Sequence, residues 1–336
     1  MVLTESDIIS RYFQQPGLAA DPAGNPAFVL GIGDDCALLQ VPPGQHMAMS
    51  MDVLVEGVHF PFAADPTLIA QRALAVNLSD LAAMGAAPLC FMLGLTLPEA
   101  TEQWLEPFVR GLRLSVDRYR CPLAGGNLTR GPLQISIQVH GLLPAGTALL
   151  RSGAKPGDDV YISGTPGLAA LALDMLQGRL NSVITADDRQ LLRKAYWQPE
   201  PRLALGQALR GIAHAAQDVS DGVLADLQHV ARASGVRIEL DEAALPLAPQ
   251  LTILAPERAT RLLLGGGDDY ELVFTAPVAA RSKVAAAAAT TGTPVSQIGR
   301  VLAGVGVEVR GRDGKLLVLP APGYDHFATG NKETLV

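Results

Sequence analysis

The chain has only three cysteines, Cys36, Cys90 and Cys121, scattered over 336 residues with no Cys-x-x-Cys. That excludes a disulfide framework and a cysteine zinc site, and it fits ordinary thiols in a reducing compartment. Cys36 adjoins an acidic turn, where neighbouring carboxylates disfavour a thiolate, so it is assigned no chemistry. No apolar stretch reaches the roughly 18–20 uncharged residues of a membrane span. The N-terminus, with Glu5, Asp7 and Arg11, has no long apolar segment of the signal-peptide kind. A soluble, cytoplasmic protein is the expectation. Excess positive charge is missing too: the formal net charge is −7, which argues against nucleic-acid binding by phosphate neutralisation. Neither Gly-x-x-x-x-Gly-Lys-Ser/Thr nor Gly-x-Ser-x-Gly occurs. No repeat of solenoid period is visible.

What the chain does have is a recurring aspartate set beside glycine, serine or asparagine. Asp34 and Asp35 lie in Gly31-Ile32-Gly33-Asp34-Asp35, Asp52 in Ser50-Met51-Asp52, and Asp80 in Asn77-Leu78-Ser79-Asp80. Asp218 and Asp221 share Asp218-Val219-Ser220-Asp221-Gly222, and Gly265-Gly266-Gly267-Asp268-Asp269 adds another acidic turn. These acids sit between apolar runs, where a lone carboxylate is costly. Two carboxylates about 4 Å apart repel by roughly 4 kcal/mol at an effective dielectric of about 20. Hard divalent cations relieve that repulsion, and Mg²⁺ is usually held by a few carboxylates, waters and substrate phosphates. The pattern therefore points to several metal ions carrying a nucleotide.

A hydrophobic fraction of 49% and a charged fraction of 18% describe a well-packed globular chain. Short strand patterns alternate with helical ones. Strands are predicted at 27–32, 37–41, 47–53, 89–95, 133–142, 158–163, 236–240, 270–275, 296–302, 305–310 and 315–319. Helices are predicted at 66–84, 102–119, 166–177, 187–196, 201–214, 222–234, 256–264 and 277–291. Residues 152–157 read as a boundary, giving two α+β domains, 1–150 and 151–336.

Each candidate has a plainer reading. On the helix of 66–84, Asp80 shares a face with Ile69, Ala73, Val76, Ala83 and Met84, where a core would prefer leucine; it could instead cap a turn or pair with Arg72. Asp34-Asp35 could be a simple Gly-Asp turn, Asp52 a strand-end turn former, and His59 a structural histidine. Gly125-Gly126-Asn127-Leu128-Thr129-Arg130-Gly131, between a helix and a strand, could turn amide N–H groups toward phosphate. Gly164-Thr165-Pro166-Gly167 leads into a helix start, another candidate anion site. Ser220 or Asp221 could be only an N-cap, which leaves Asp218 unexplained. Thr185 with Asp187 and Asp188 reads as helix-start chemistry alone.

The motifs Gly31-Ile32-Gly33-Asp34-Asp35, Asn77-Leu78-Ser79-Asp80-Leu81-Ala82-Ala83-Met84-Gly85, Arg151-Ser152-Gly153-Ala154-Lys155-Pro156-Gly157, Asp218-Val219-Ser220-Asp221-Gly222, Asp268-Asp269-Tyr270-Glu271-Leu272 and Gly323-Tyr324-Asp325-His326-Phe327 occur in one order. In this the chain closely resembles the thiamine-monophosphate kinases, whose superfamily includes aminoimidazole ribonucleotide synthetase and selenophosphate synthetase. The resemblance implies a PurM-like α+β fold. The N-terminal mixed sheet would form a barrel across a homodimer, and the C-terminal domain would be an α+β sandwich. It implies transfer of the γ-phosphoryl of ATP to thiamine monophosphate, with several Mg²⁺ ions. Asp35, Ser50, Met51 (through its main chain), Asp52, Asp80, Asn127, Asp218 and Asp221 would hold metal. Gly126, Arg151 and Ser220 would touch ATP, and His59, Asp268 and Tyr324 would line the thiamine end. Because the acceptor is an ionised phosphate oxygen, no protein nucleophile is expected.

Two positions depart from the family pattern. Asn127 stands where the family has a metal-binding Asp, offering a carbonyl oxygen without charge. Met51 and Val53 stand where Thr is usual. A weakened metal site is therefore expected. The alternatives are a binding protein without turnover, and a synthetase of the same superfamily. The selenophosphate synthetases use a reactive residue near the N-terminus, and no cysteine precedes Cys36 here.

Overall fold

The computed structural model describes residues 4–180 and 182–317. They form two compact units. The first is built from residues up to Leu81 and from Ala86–Gly146, the second from Ala82–Gly85 and from Thr147 onward.

The first unit opens with helix α1 (Glu5–Ile8), which runs into a five-residue π turn, and a small ribbon of β1 (Phe28–Leu30) and β2 (Leu38–Leu39). Its main sheet has the order β3 (Gln45–Val55), β6 (Gln134–Pro144), β4 (Ala87–Leu97), β5 (Leu123–Arg130). The β4–β5 pair is parallel and the others antiparallel. Two 18-residue helices accompany it, α2 (Pro66–Ala83) and α3 (Glu102–Tyr119). The expected alternation along β6 is present, with Ile135, Ile137 and Val139 fully buried. In α3, Leu105, Phe108, Leu112 and Val116 form the buried stripe of an amphipathic helix. Thr101 is its N-cap by position, without a side-chain capping bond. Gly111 lets α3 approach α2, since a Cβ there would collide with the Thr67 carbonyl and Ala70.

The second unit has a six-stranded sheet, ordered β12 (Gly306–Arg310), β9 (Arg237–Asp241), β11 (Val295–Leu302), β7 (Asp158–Ser163), β10 (Leu272–Pro277), β8 (Ala215–Asp218). Only β12–β9 is parallel. Its helices are α4 (Leu168–Leu176), α5 (Ala186–Trp197), α6 (Leu203–Ala208), α7 (Val223–Ser234), α8 (Pro249–Leu254), α9 (Ala259–Gly265) and α10 (Arg281–Thr291). Tyr161 and Phe274 stack in the core with ring centroids 5.1 Å apart. Thr185 caps α5, accepting from the Asp188 N–H at 3.1 Å, as its sequence context predicts.

Buried acids of this sheet are held by arginines. Arg281 donates to both oxygens of Asp159, and Arg300 and Arg310 converge on Glu239. Hydrogen bonds from Arg310 and then Arg300 push the Glu239 pKa down to about 2. A carboxylate depressed on folding lends stability that is complete above its ordinary value of 4.5 and is lost as pH falls toward about 2. Glu239→Gln is therefore expected to lower the urea midpoint at pH 7 and to flatten its decline between pH 4.5 and 2. An unchanged acid limb would show that the charge of Glu239 does not matter there.

Candidate active site

In the first unit, β3 and α2 bring Ser50, Asp52 and Asp80 together. The Ser50 hydroxyl donates to Asp80 Oδ2 at 2.5 Å. Asn77, fully buried on α2, accepts the Asp52 N–H at 2.9 Å and donates its amide to the Ala73 carbonyl. Both ends of that amide are used, so Asn77 pins the strand to the helix and sets Asp52 and Ser50 opposite Asp80. The sequence motif contains Asn77, but its positioning role was not foreseen.

Strand alternation separates Met51 from this group. Met49, Met51 and Val53 are exposed, while Ser50, Asp52 and Leu54 take the other face. The side chains at 51 and 53 thus project away from Ser50 and Asp52, leaving only main-chain atoms of Met51 on offer to a ligand there.

Asp34 and Asp35 occupy the exposed turn before β2, with the Asp35 N–H bonded to Asp34 Oδ1. They line a pocket of about 280 Å³ together with Gly126 and Asn127, and its apolar walls include Phe13, Ile32 and Met92. Gly126 and Asn127 are on strand β5, pairing with Leu93 and Gly94, and not on the loop that their Gly-Gly sequence suggests. A Cβ at 126 would strike the Leu93 carbonyl, so the close strand pairing already requires glycine. His59 accepts the Val55 N–H at Nδ1 at 3.0 Å, which places its ring proton on Nε2 in the neutral form.

In the second unit, β8 ends at Asp218 and the turn Val219–Gly222 leads into α7. The N-cap is Gly222, at φ 119°, rather than Ser220 or Asp221. No side chain caps the helix; Asp226, from within it, instead holds the preceding turn, a role with no signal in the sequence. Asp226 Oδ2 accepts from the N–H groups of Ser220, Asp221 and Gly222 at 3.1, 3.1 and 3.2 Å, and Oδ1 accepts from Gln217. Burial, with Asp221 nearby, raises its pKa to about 7 against the pull of those amides.

The segment Gly265–Tyr270 lies directly on this turn. The Asp268 N–H donates to the Ser220 carbonyl and the Tyr270 N–H to that of Val219. Asp268 and Tyr270 both have positive φ, 70° and 52°, a conformation that aspartate tolerates and that is costly for Tyr270. Asp269 accepts the Gly167 N–H with both oxygens, at 2.9 and 2.8 Å. The acceptor at that helix start is thus the chain's own, and burial holds the Asp269 carboxyl well above the usual range although part of the residue stays exposed. Arg151 is exposed. Its charge and that of Asp221 act in opposite directions on His229, whose pKa is lowered first by desolvation and next by Arg151. Tyr324 lies outside the described residues.

Within the first unit Ser50, Asp52 and Asp80 offer only hard oxygen atoms, the kind Mg²⁺ takes. Among the described residues no three His, Cys, Asp or Glu side chains stand close enough to cage a metal by themselves.

Two family models match this chain. They are AIR synthase related protein, N-terminal domain, over residues 33–143, and AIR synthase related protein, C-terminal domain, over residues 155–312. The two-domain α+β class is thereby established. Thiamine-monophosphate kinase of Escherichia coli strain K12 is 46% identical over 330 residues, covering 98% of this chain and 100% of that protein. The crystal structure of thiamine-monophosphate kinase from Stenotrophomonas maltophilia K279a has 42% identity and a TM-score of 0.82, covering 94% of this chain and 99% of that one. AaThiL complexed with AMPPCP and TMP has 32% identity and a TM-score of 0.75, covering 88% and 92%. The chain belongs to the thiamine-monophosphate kinase family.

Proposed function

We propose that this protein phosphorylates thiamine monophosphate with ATP, giving thiamine diphosphate and ADP. The observation that carries this reading is the oxygen-only group of Ser50, Asp52 and Asp80, fixed by Asn77 in a chain of this family. AMPPCP and TMP bound together to a relative support the substrate pair. A phosphate oxygen of thiamine monophosphate attacks the γ-phosphorus in line. The bond from that phosphorus to the β–γ bridging oxygen breaks, and ADP leaves with the electron pair. The attacking oxygen is already ionised, so no side chain has to remove a proton. Bound Mg²⁺ would neutralise charge on the phosphates.

Asp35, Asp52, Asp80, Asp218 and Asp221 supply carboxylates for that ion set, with Ser50, the main chain at Met51 and Asn127 as neutral oxygens. Gly126, Arg151 and Ser220 belong to the nucleotide end. Neutral His59 offers its Nε2–H, and Asp268 a carboxylate, at the thiamine end, with Tyr324 as a third contact. The exposed Met49, Met51 and Val53 on edge strand β3 favour a homodimer that covers this face; a monomer mass by light scattering would remove that inference. The absence of any membrane-length apolar helix among the described residues is compatible with a cytoplasmic enzyme.

The test is incubation with ATP, Mg²⁺ and thiamine monophosphate, followed by mass spectrometry. Equal amounts of thiamine diphosphate and ADP are expected. Binding of both substrates without product would favour a silent binding protein. The neutral Asn127 also predicts that Asn127→Asp tightens Mg²⁺ binding several-fold in a metal titration; equal affinity would show that position 127 carries no metal.

A further inference from the structure

Three successive amide N–H groups converging on one point form an anion-binding concavity of the kind that takes phosphate. The turn Ser220–Gly222 is such a concavity, and Asp226 fills it with one carboxylate oxygen at 3.1–3.2 Å. Asp226 is 1% exposed, and its other oxygen is held by the buried Gln217 at 2.7 Å. The turn is also fixed from outside. Gly267 lies too close to the Ser220 carbonyl for a Cβ, and Gly222, at φ 119°, packs tightly on Gly265. The Asp268 and Tyr270 amides complete the strap. The amides of the turn are therefore committed to the protein and do not receive a phosphate.

We propose that Asp226 is a positioning residue that plugs the amide concavity at Ser220–Gly222, so that the Ser220 hydroxyl and the Asp221 carboxylate, and not backbone amides, meet the metal–nucleotide. This rests on the reading of Ser220 and Asp221 as nucleotide and metal contacts. Its consequence is that the position of the acceptor oxygen matters more than its charge. Asparagine at 226 keeps that oxygen. Gln217 Oε1, which is buried with no hydrogen-bond partner in the described structure, can turn to accept from the new amide.

The test compares Asp226→Ala, Asp226→Asn and Ser220→Ala by hydrogen exchange in the ligand-free protein and by KM for ATP. Asp226→Ala is expected to speed exchange at amides 220–222 at least 10²-fold and to raise the ATP KM at least 10-fold. Asp226→Asn is expected to recover most of both. If Asp226→Ala does not fold, Asp226→Glu, which keeps the charge but displaces the oxygens, takes its place with the same expectation. A raised KM in Asp226→Asn with protection intact would mean that charge, not position, is at work, and overturns the proposal. So does an unchanged KM in the displaced variant while Ser220→Ala raises it. Should Ser220→Ala and Asp221→Asn both leave nucleotide and metal binding unchanged, the underlying reading of the turn fails, and this inference fails with it.

Discussion

Asp80→Ala should lower kcat/KM by about 10³-fold, the size expected when a group that organises charge at a phosphoryl-transfer centre is lost. Asp80 is half-buried on α2 and receives the Ser50 hydroxyl at 2.5 Å. The expected signature is a fall in kcat with a rise in the Mg²⁺ concentration needed for half-maximal rate. Asp80→Asn should recover little of the rate, because the missing quantity is charge. A loss under 10-fold in kcat/KM would place Asp80 outside the reacting centre.

Glu271→Ala should act on stability instead. Glu271 accepts a bidentate pair from Arg202, Nε to Oε2 at 2.6 Å and Nη2 to Oε1 at 2.5 Å, and also the Ser163 hydroxyl. The side chains are only 9% and 20% exposed. Removing one partner of a buried pair costs about 3–5 kcal/mol, since the other charge loses its compensation. In a unit of this size that is a fall of about 10 °C in melting temperature. Glu271 also adjoins Tyr270, so the strained segment at Asp268–Tyr270 should loosen and the KM for thiamine monophosphate should rise along with it. A melting temperature within 2 °C of wild type would show that the pair is stability-neutral.

Much of this architecture was legible in the sequence where one period ran for several turns. Helix 102–119 matches its predicted span, and so does strand 158–163. Failures came where local chemistry gives way to pairing. Residues 125–131 read as a glycine loop because glycine is poor in strands, yet Gly126 is what allows β5 to approach β4. The strand Ala215–Asp218 is four residues long, without aliphatic branching, and carries no period. The helix predicted over 201–214 shortens to Leu203–Ala208. The strand predicted at 315–319 appears only as a bridge from Arg310 to Leu316 within the described residues. Candidate acids were found by their glycine and serine neighbours. Glu271 escaped because Arg202 lies 69 residues away and a single chain does not reveal such a pairing, and Asp226 escaped because a carboxylate in the first turn of a helix reads as ordinary helix-start chemistry. Asn77 escaped for a different reason: a helical asparagine is unremarkable until a strand amide is seen above it.

Strand β3 has a two-sided character with a bearing on errors of folding. Its eleven residues pair with β6 in unbroken register, Gln45 with Pro144 through Val55 with Gln134. A slip of one residue would exchange the two rows. The methionines would then turn toward Asp80, and Ser50 and Asp52 would turn to the outside. No intermediate register preserves half the function. Misaligned molecules would also turn the exposed row of Met49, Met51 and Val53 inward. A chain that has threaded β3 wrongly thus loses the Ser50–Asp80 contact and its outward apolar row in the same stroke.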